Sequence, residues 1–218
     1  MSVEADTVIP THEEMYAALE ERHGAELQKK LNKASVAVCG LGGLGSNIAI
    51  ALARAGVGNL HIIDFDRVDI SNLNRQQYFS EQLGQFKADA MFETLKRIAP
   101  YCNIIRERIK LDEENIQKFL AEDDIIVEAF DKADQKAMLV NCVLENMPEK
   151  YLVSGSGMAG IAPSNMISTK RVAKRFYLCG DGVSDVEDGM GLVSSRVLIC
   201  AGHQAHAVIR IIAGEFDI

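Results

Sequence analysis

The sequence predicts an α/β fold built on a doubly wound, mainly parallel sheet, with antiparallel strands toward the C-terminal end. Three observations predict it. Gly40-Leu41-Gly42-Gly43-Leu44-Gly45 lies between a short apolar run and an apolar helix-like segment. Between residues 36 and 154, β-rich runs alternate with segments of helical period. After residue 164 that alternation gives way to two further β-like runs. A glycine turn between strand and helix, followed by β-α repetition, is the pattern of a Rossmann-like domain.

The elements follow in order. Residues 12–31 place Met15, Leu19, Leu27 and Leu31 at near-helical spacing among polar residues, which predicts a helical arm interrupted near Gly24. Residues 36–39 are a strand, 46–55 a helix apolar on nearly every side, and 59–65 a second strand, so a right-handed β-α-β crossover is expected. Helices over 87–99, 112–120 and 132–146 then alternate with strands over 103–109, 125–129 and 151–154. Residues 165–172 and 175–178 are the two late strands. Residues 180–191 hold four glycines and four acidic residues, which predicts a mobile loop. Residues 192–213 close the chain as a long, largely buried helix.

With 218 residues, 48% of them hydrophobic, the chain is one domain spanning 1–218 with an arm over 12–31, and wholesale disorder is excluded. Its 23 Lys+Arg against 31 Asp+Glu leave a formal charge of −8, which opposes non-specific binding to nucleic acid or to anionic membranes. With no basic leader and no apolar run of membrane-spanning length, the chain reads as cytoplasmic. Five scattered cysteines without a C-x-x-C pair point to buried thiols rather than a disulfide framework or a zinc site.

Gly40, Gly42, Gly43 and Gly45 satisfy G-x-G-x-x-G after a strand and at a helix start, where backbone N–H groups and the helix dipole favour a phosphate. Asp64, 24 positions after Gly40 at the end of the second strand, suits ribose hydroxyls. The loop that follows, from Asp64 through Asp66 to Gln76, is dense in amides and guanidinium. There Asn72 and Arg75, with Lys87 beyond, are the donor types that neutralise a polyphosphate. Asp131 follows the apolar run 125–127 and can either hold Mg²⁺ at a strand end or cap the helix that begins near Lys132. His203 and His206 stand at i, i+3 without a third ligand, and the glycine-rich stretch 151–160 is open enough for a partner's extended tail to approach.

GLGGLGS, DFDRVDISNLNRQ, GQFKAD and the strand leading to Asp131 together resemble the ThiF/MoeB/E1 adenylating superfamily over roughly residues 33 to 160. In character the chain is most similar to the short ThiF-like proteins of thiamine biosynthesis. The resemblance implies an ATP-dependent adenylyltransferase that activates the C-terminal carboxylate of a ubiquitin-like sulfur carrier. It assigns ATP to the glycine loop, ribose to Asp64, phosphates to Asn72, Arg75 and Lys87, and Mg²⁺ to Asp131. A homodimer is also implied. Cys179 is the positional candidate for a sulfur-transferring thiol. The chain departs from many relatives in having no paired C-x-x-C, so no zinc is expected, and in carrying only Arg22 in its arm, where they carry an R-Y-x-R-Q-like motif. The alternatives are another carrier or a tRNA-modification substrate, an NAD-dependent oxidoreductase, and a non-catalytic nucleotide-binding scaffold.

Overall fold

Residues 9–217 are described by a computed structural model. Among these residues seven strands form one sheet in the order β3-β2-β1-β4-β5-β7-β6. They are β1 (Ser35–Cys39), β2 (Asn59–Ile63), β3 (Asn103–Glu107), β4 (Ile125–Glu128), β5 (Tyr151–Gly155), β6 (Ser168–Ala173) and β7 (Phe176–Gly180). All neighbours run parallel except the edge pair β6 and β7; β7 itself is parallel to β5. The strand order reverses at β1, which is flanked by β2 and β4, so the ends of these three strands open a crevice where ligands bind in such sheets.

Helices α3 (Gly43–Arg54), α4 (Lys87–Ile98) and α7 (Ser194–Ala213) contribute to the core on one face of the sheet, and α5 (Ile116–Phe119) and α6 (Ala133–Asn146) to the core on the other. Side-chain alternation explains the division: Val36, Val38 and Val127 face the first core, and Ala37, Cys39 and Ile126 the second. Ile48 and Leu52 of α3 are fully buried, each such burial contributing ~1.5–3 kcal/mol. Among the described residues no helix is long and apolar enough to cross a membrane.

The arm is two helices, α1 (His12–His23) and α2 (Ala25–Lys33), broken at Gly24 with φ 90°. α1 starts with a capping box between Thr11 and Glu14 but buries no residue. α2 anchors the arm through Gln28 and Leu31. The helix expected over 112–120 shortens to α5. Asp112 accepts from the amides of Glu114 and Asn115, so its side chain builds a turn where a helix would begin.

Candidate functional site

The glycine turn is shaped by contacts within the chain and leaves its centre open. Gly40 adopts φ 92°, and a Cβ there would stand 2.9 Å from the Ala129 carbonyl oxygen. At Gly45 a Cβ would fall 1.8 Å from the Gly40 carbonyl oxygen, so only glycine lets α3 start this close to β1. Gly42, the N-cap of α3, is different: a Cβ there meets only the Gln76 amide nitrogen, at 3.8 Å. No side chain caps α3, so its first amides point into space unpartnered by a cap. A Cβ on Gly43 would lie 3.0 Å from Val197 of α7 and 3.4 Å from the Arg75 side chain, so both pack on the turn.

On one side stand Asp64, Asp66 and Lys87. Asp64 is buried at the end of β2; one carboxylate oxygen accepts from the Leu41 amide at 2.6 Å and the other from the Asp66 amide at 2.7 Å. Burial raises its pKa, against the Lys87 charge and the two amides, which lower it. Lys87 opens α4, is itself buried, and pairs at 3.2 Å with the half-exposed Asp66. Its side chain is only 7% exposed, so the ammonium group is held in place by that pairing.

Above the turn, the Asn72 carbonyl accepts from the amides of Arg75 and Gln76, folding the polar loop back over α3. Asn47 of α3 ties it down by donating to the Arg75 carbonyl at 3.3 Å. Arg75 donates to the Ser71 carbonyl and to Asn74, but its Nε is buried without a partner. The Gln76 Oε1 is likewise buried and unpartnered. Beside an uncapped helix start, these unpartnered atoms are a donor and an acceptor that a polar ligand could satisfy.

On the other side lies the turn after β4. Phe130 packs against Gly40, and Asp131 is exposed. The N-cap of α6 is Lys132, so Asp131 does not cap that helix and its carboxylate is free of that role. Gly40, Asp64 and the turn carrying Asp131 follow the ends of β1, β2 and β4; Arg75 packs on Gly43, Asp64 accepts from the Leu41 amide and Lys87 pairs with Asp66, while Asn72 contributes its carbonyl to the loop and Asp131 stands exposed beyond β4. Three residues outside the sequence-based set support this arrangement: Tyr78, which donates to the Leu41 carbonyl at 2.8 Å, Asn47, and Glu128. Asn47 is the one side-chain amide in the mainly apolar α3, a signal available in the sequence; Tyr78 and Glu128 carried none.

Other candidates lie elsewhere. Cys179 is fully buried in β7 and burial pushes its thiol up to about 11, the opposite of a sulfur-transferring nucleophile. All five cysteines are free and buried. His203 bonds Thr169 at 2.9 Å, and with His206 it lines a cavity of about 560 Å³ under the β6 edge. Among the described residues no group of three or more His, Cys, Asp or Glu is placed to hold a metal by itself. Within 151–160, Gly157 packs against the chain itself: a Cβ there would stand 2.0 Å from the Asp181 carboxylate and 2.6 Å from the Gly182 amide nitrogen, whereas Gly160 faces open space. The start of the 180–191 loop is likewise fastened rather than mobile, because Asp181 pairs with buried Arg196 of α7.

The ThiF family profile matches residues 16–217. The chain is 34% identical over 137 residues to adenylyltransferase and sulfurtransferase MOCS3 of Caenorhabditis briggsae, covering 62% of this chain and 33% of that protein. It is 32% identical over 153 residues to tRNA threonylcarbamoyladenosine dehydratase of Haemophilus influenzae, covering 68% and 58%. The chain therefore spans about a third of the first relative and somewhat over half of the second. The Escherichia coli tRNA threonylcarbamoyladenosine dehydratase TcdA, solved in complex with ATP, superposes with a TM-score of 0.84 at 20% identity, over 95% of this chain and 98% of that one. Escherichia coli MccB shares the fold at a TM-score of 0.69. With its profile match running through both the glycine turn and the closing helix, the chain belongs to the ThiF family of ATP-utilising, E1-like adenylating enzymes.

Proposed function

We propose that this chain binds Mg·ATP in the crevice at the ends of β1, β2 and β4 and transfers the adenylyl group to a carboxylate of a partner. The observation that carries the reading is the open α3 start, covered by Arg75 and Gln76 whose Nε and Oε1 are buried and unpartnered. A dinucleotide reading accounts for the glycines and Asp64 but not for that cover or for Lys87.

The residues suit the chemistry. A carboxylate is already a nucleophile at neutral pH, so no general base is needed. Its oxygen bonds to the α-phosphorus while the bridging bond to the β-phosphate breaks, and pyrophosphate leaves with the electron pair. The barrier is electrostatic, two anions meeting while a third forms. Arg75 and Lys87 bring positive charge to the oxygens, and Asp64 orients the ribose through whichever lone pairs its two amide bonds leave free. Asp131, exposed at a strand end, suits a hard cation: Mg²⁺ needs only one or two protein carboxylates beside phosphate oxygens and water, and bound there it would neutralise phosphate charge.

As the acceptor we propose the C-terminal carboxylate of a small ubiquitin-fold sulfur carrier, in thiamine biosynthesis, with the chain acting as a cytoplasmic homodimer. The burial of every cysteine supports the adenylation step over a thiol-borne sulfur transfer on this chain. A tRNA-modification substrate is the second reading, supported by the overlay of nearly the whole chain on TcdA. Incubation with ATP, Mg²⁺ and either ubiquitin-fold carriers or tRNA, with pyrophosphate detection and mass spectrometry of each acceptor, tests both. Carrier-dependent pyrophosphate release with an adenylylated carrier is expected. Release with tRNA alone selects the second reading, and calorimetry showing NAD bound more tightly than Mg·ATP overturns adenylation.

A further inference from the structure

Glu128 at the end of β4 is fully buried. Its Oε1 accepts from the Phe130 amide at 2.8 Å, and its Oε2 accepts from Lys136 Nζ and Ser154 Oγ, each at 2.5 Å. Its carbonyl accepts from Gln204 of α7 at 3.1 Å. The residue is thus held from both faces of the sheet, by its backbone toward α7 and by its side chain toward α6.

Burying a carboxylate is costly, and a buried ion pair seldom stabilises a fold more than well-packed apolar groups would. What the pair does supply is a defined geometry. The Glu128–Lys136 bond closes a loop of which Asp131 is an exposed member, and the Phe130 amide bond fixes the direction in which the chain leaves β4. Between these anchors only residues 131 and 132 separate the Phe130 amide from the start of α6.

We propose that Glu128, Lys136 and Ser154 are positioning residues that set the Asp131 carboxylate for the metal of Mg·ATP; this rests on the reading of Asp131 above. They touch neither nucleotide nor metal. The glycine turn has a tie outside this clamp, the Gly40 amide on the Ile63 carbonyl, and touches the clamped segment at Ala129 and Phe130, so metal-free ATP affinity measures any effect on the nucleotide cradle separately from the metal.

The test is calorimetric ATP binding with and without Mg²⁺ for the wild type, Asp131→Asn, Lys136→Arg and the double variant Glu128→Gln with Lys136→Met, which leaves no buried charge unpaired. The double variant is expected to melt near the wild type and keep its metal-free ATP affinity within about twofold. Its magnesium-dependent gain should fall about tenfold, since residues that orient a metal ligand typically change metal affinity ~10–100-fold. Lys136→Arg should retain the gain. An undiminished gain in the folded double variant overturns the inference, and so does an equal loss of metal-free and metal-dependent affinity, which is a structural effect alone. A wild type without any magnesium-dependent gain overturns the Mg·ATP reading itself, an outcome visible before any variant is compared.

Discussion

Arg196 and Asp181 form an ion pair at 2.5 Å with side chains only 3% and 1% exposed, joining the first turn of α7 to the end of β7. Arg196 also donates to the carbonyls of Ala162 and Pro163, so one guanidinium gathers three chain segments. Burial pushes the Asp181 carboxyl up, but the Ser184 and Val183 amides, the Ser184 hydroxyl and Arg196 outweigh it and hold it down at about 2.

That depression makes the fold acid-sensitive in a defined window. With a folded value near 2 and an ordinary value of 3.8, the contribution is full above about pH 4 and is lost as pH falls toward 2. Urea unfolding across this range should show wild-type stability declining with acid. Asp181→Asn should lose that component and be destabilised at neutral pH by ~3–5 kcal/mol, the usual cost of leaving a buried partner unpaired. Equal acid dependence in both proteins contradicts the assignment.

Two glycines of one motif should behave differently. Gly45→Ala drives a Cβ into the Gly40 carbonyl, so a loss at or above the upper end of the ~1–3 kcal/mol usual for overpacking is expected in thermal melts. Gly42→Ala meets no atom closer than 3.8 Å and should keep stability within about 1 kcal/mol. Its methyl enters the proposed phosphate cradle, so ATP affinity should fall. Unchanged ATP binding by Gly42→Ala places the nucleotide elsewhere.

The charged residues of the site should separate folding from turnover. Asp131→Ala, at an exposed position, should alter stability by no more than ~0.5 kcal/mol while removing magnesium-dependent pyrophosphate release. Arg75→Ala and Lys87→Ala should each cost ~2–4 kcal/mol in kcat, with smaller changes in ATP affinity. Effects confined to ATP affinity would make them ground-state binders.

The distal part of the acidic loop, residues 185–191, is expected to cover the acceptor's tail during reaction. Replacing it with a short glycine linker, while keeping the Asp181 to Ser184 anchor, should preserve ATP binding and impair adenylation of the acceptor. Unchanged kinetics and acceptor affinity would reduce the segment to a connector.

Leu198 of α7 is 53% exposed, on a helix where Ser194, Ser195, Gly202 and His206 are exposed as well, which suits a face covered by a second copy. Light scattering at micromolar concentration should report a dimer, and Leu198→Asp should shift it toward monomer. A monomeric wild type contradicts the proposed assembly.

Much of the site was legible because its parts are local. A glycine turn, an acidic strand end and a polar loop are each read from adjacent residues, and a parallel sheet places successive strand ends on one edge whatever the details. The boundaries that moved have local causes too, such as the Asp112 side chain taking the turn that shortened α5. Legibility ended where a residue's meaning depended on a distant partner. Cys179 sits beside a glycine-rich loop in the sequence, but β7 buries it beneath α7, and burial rather than its neighbours decides its acidity.

Fold class, the glycine turn and the charged residues that follow the strands can be read along the chain, because periodicity and backbone freedom are properties of short segments. The packing of Arg75 on Gly43, the fastening of Asp181 to Arg196 and the clamp of Lys136 and Ser154 on Glu128 emerge once the chain is folded. Those pairings join residues separated by up to dozens of positions, and each depends on which strands become neighbours. The β3-β2-β1-β4 order is set by how two opposite apolar faces are buried at once, and no single segment carries that information.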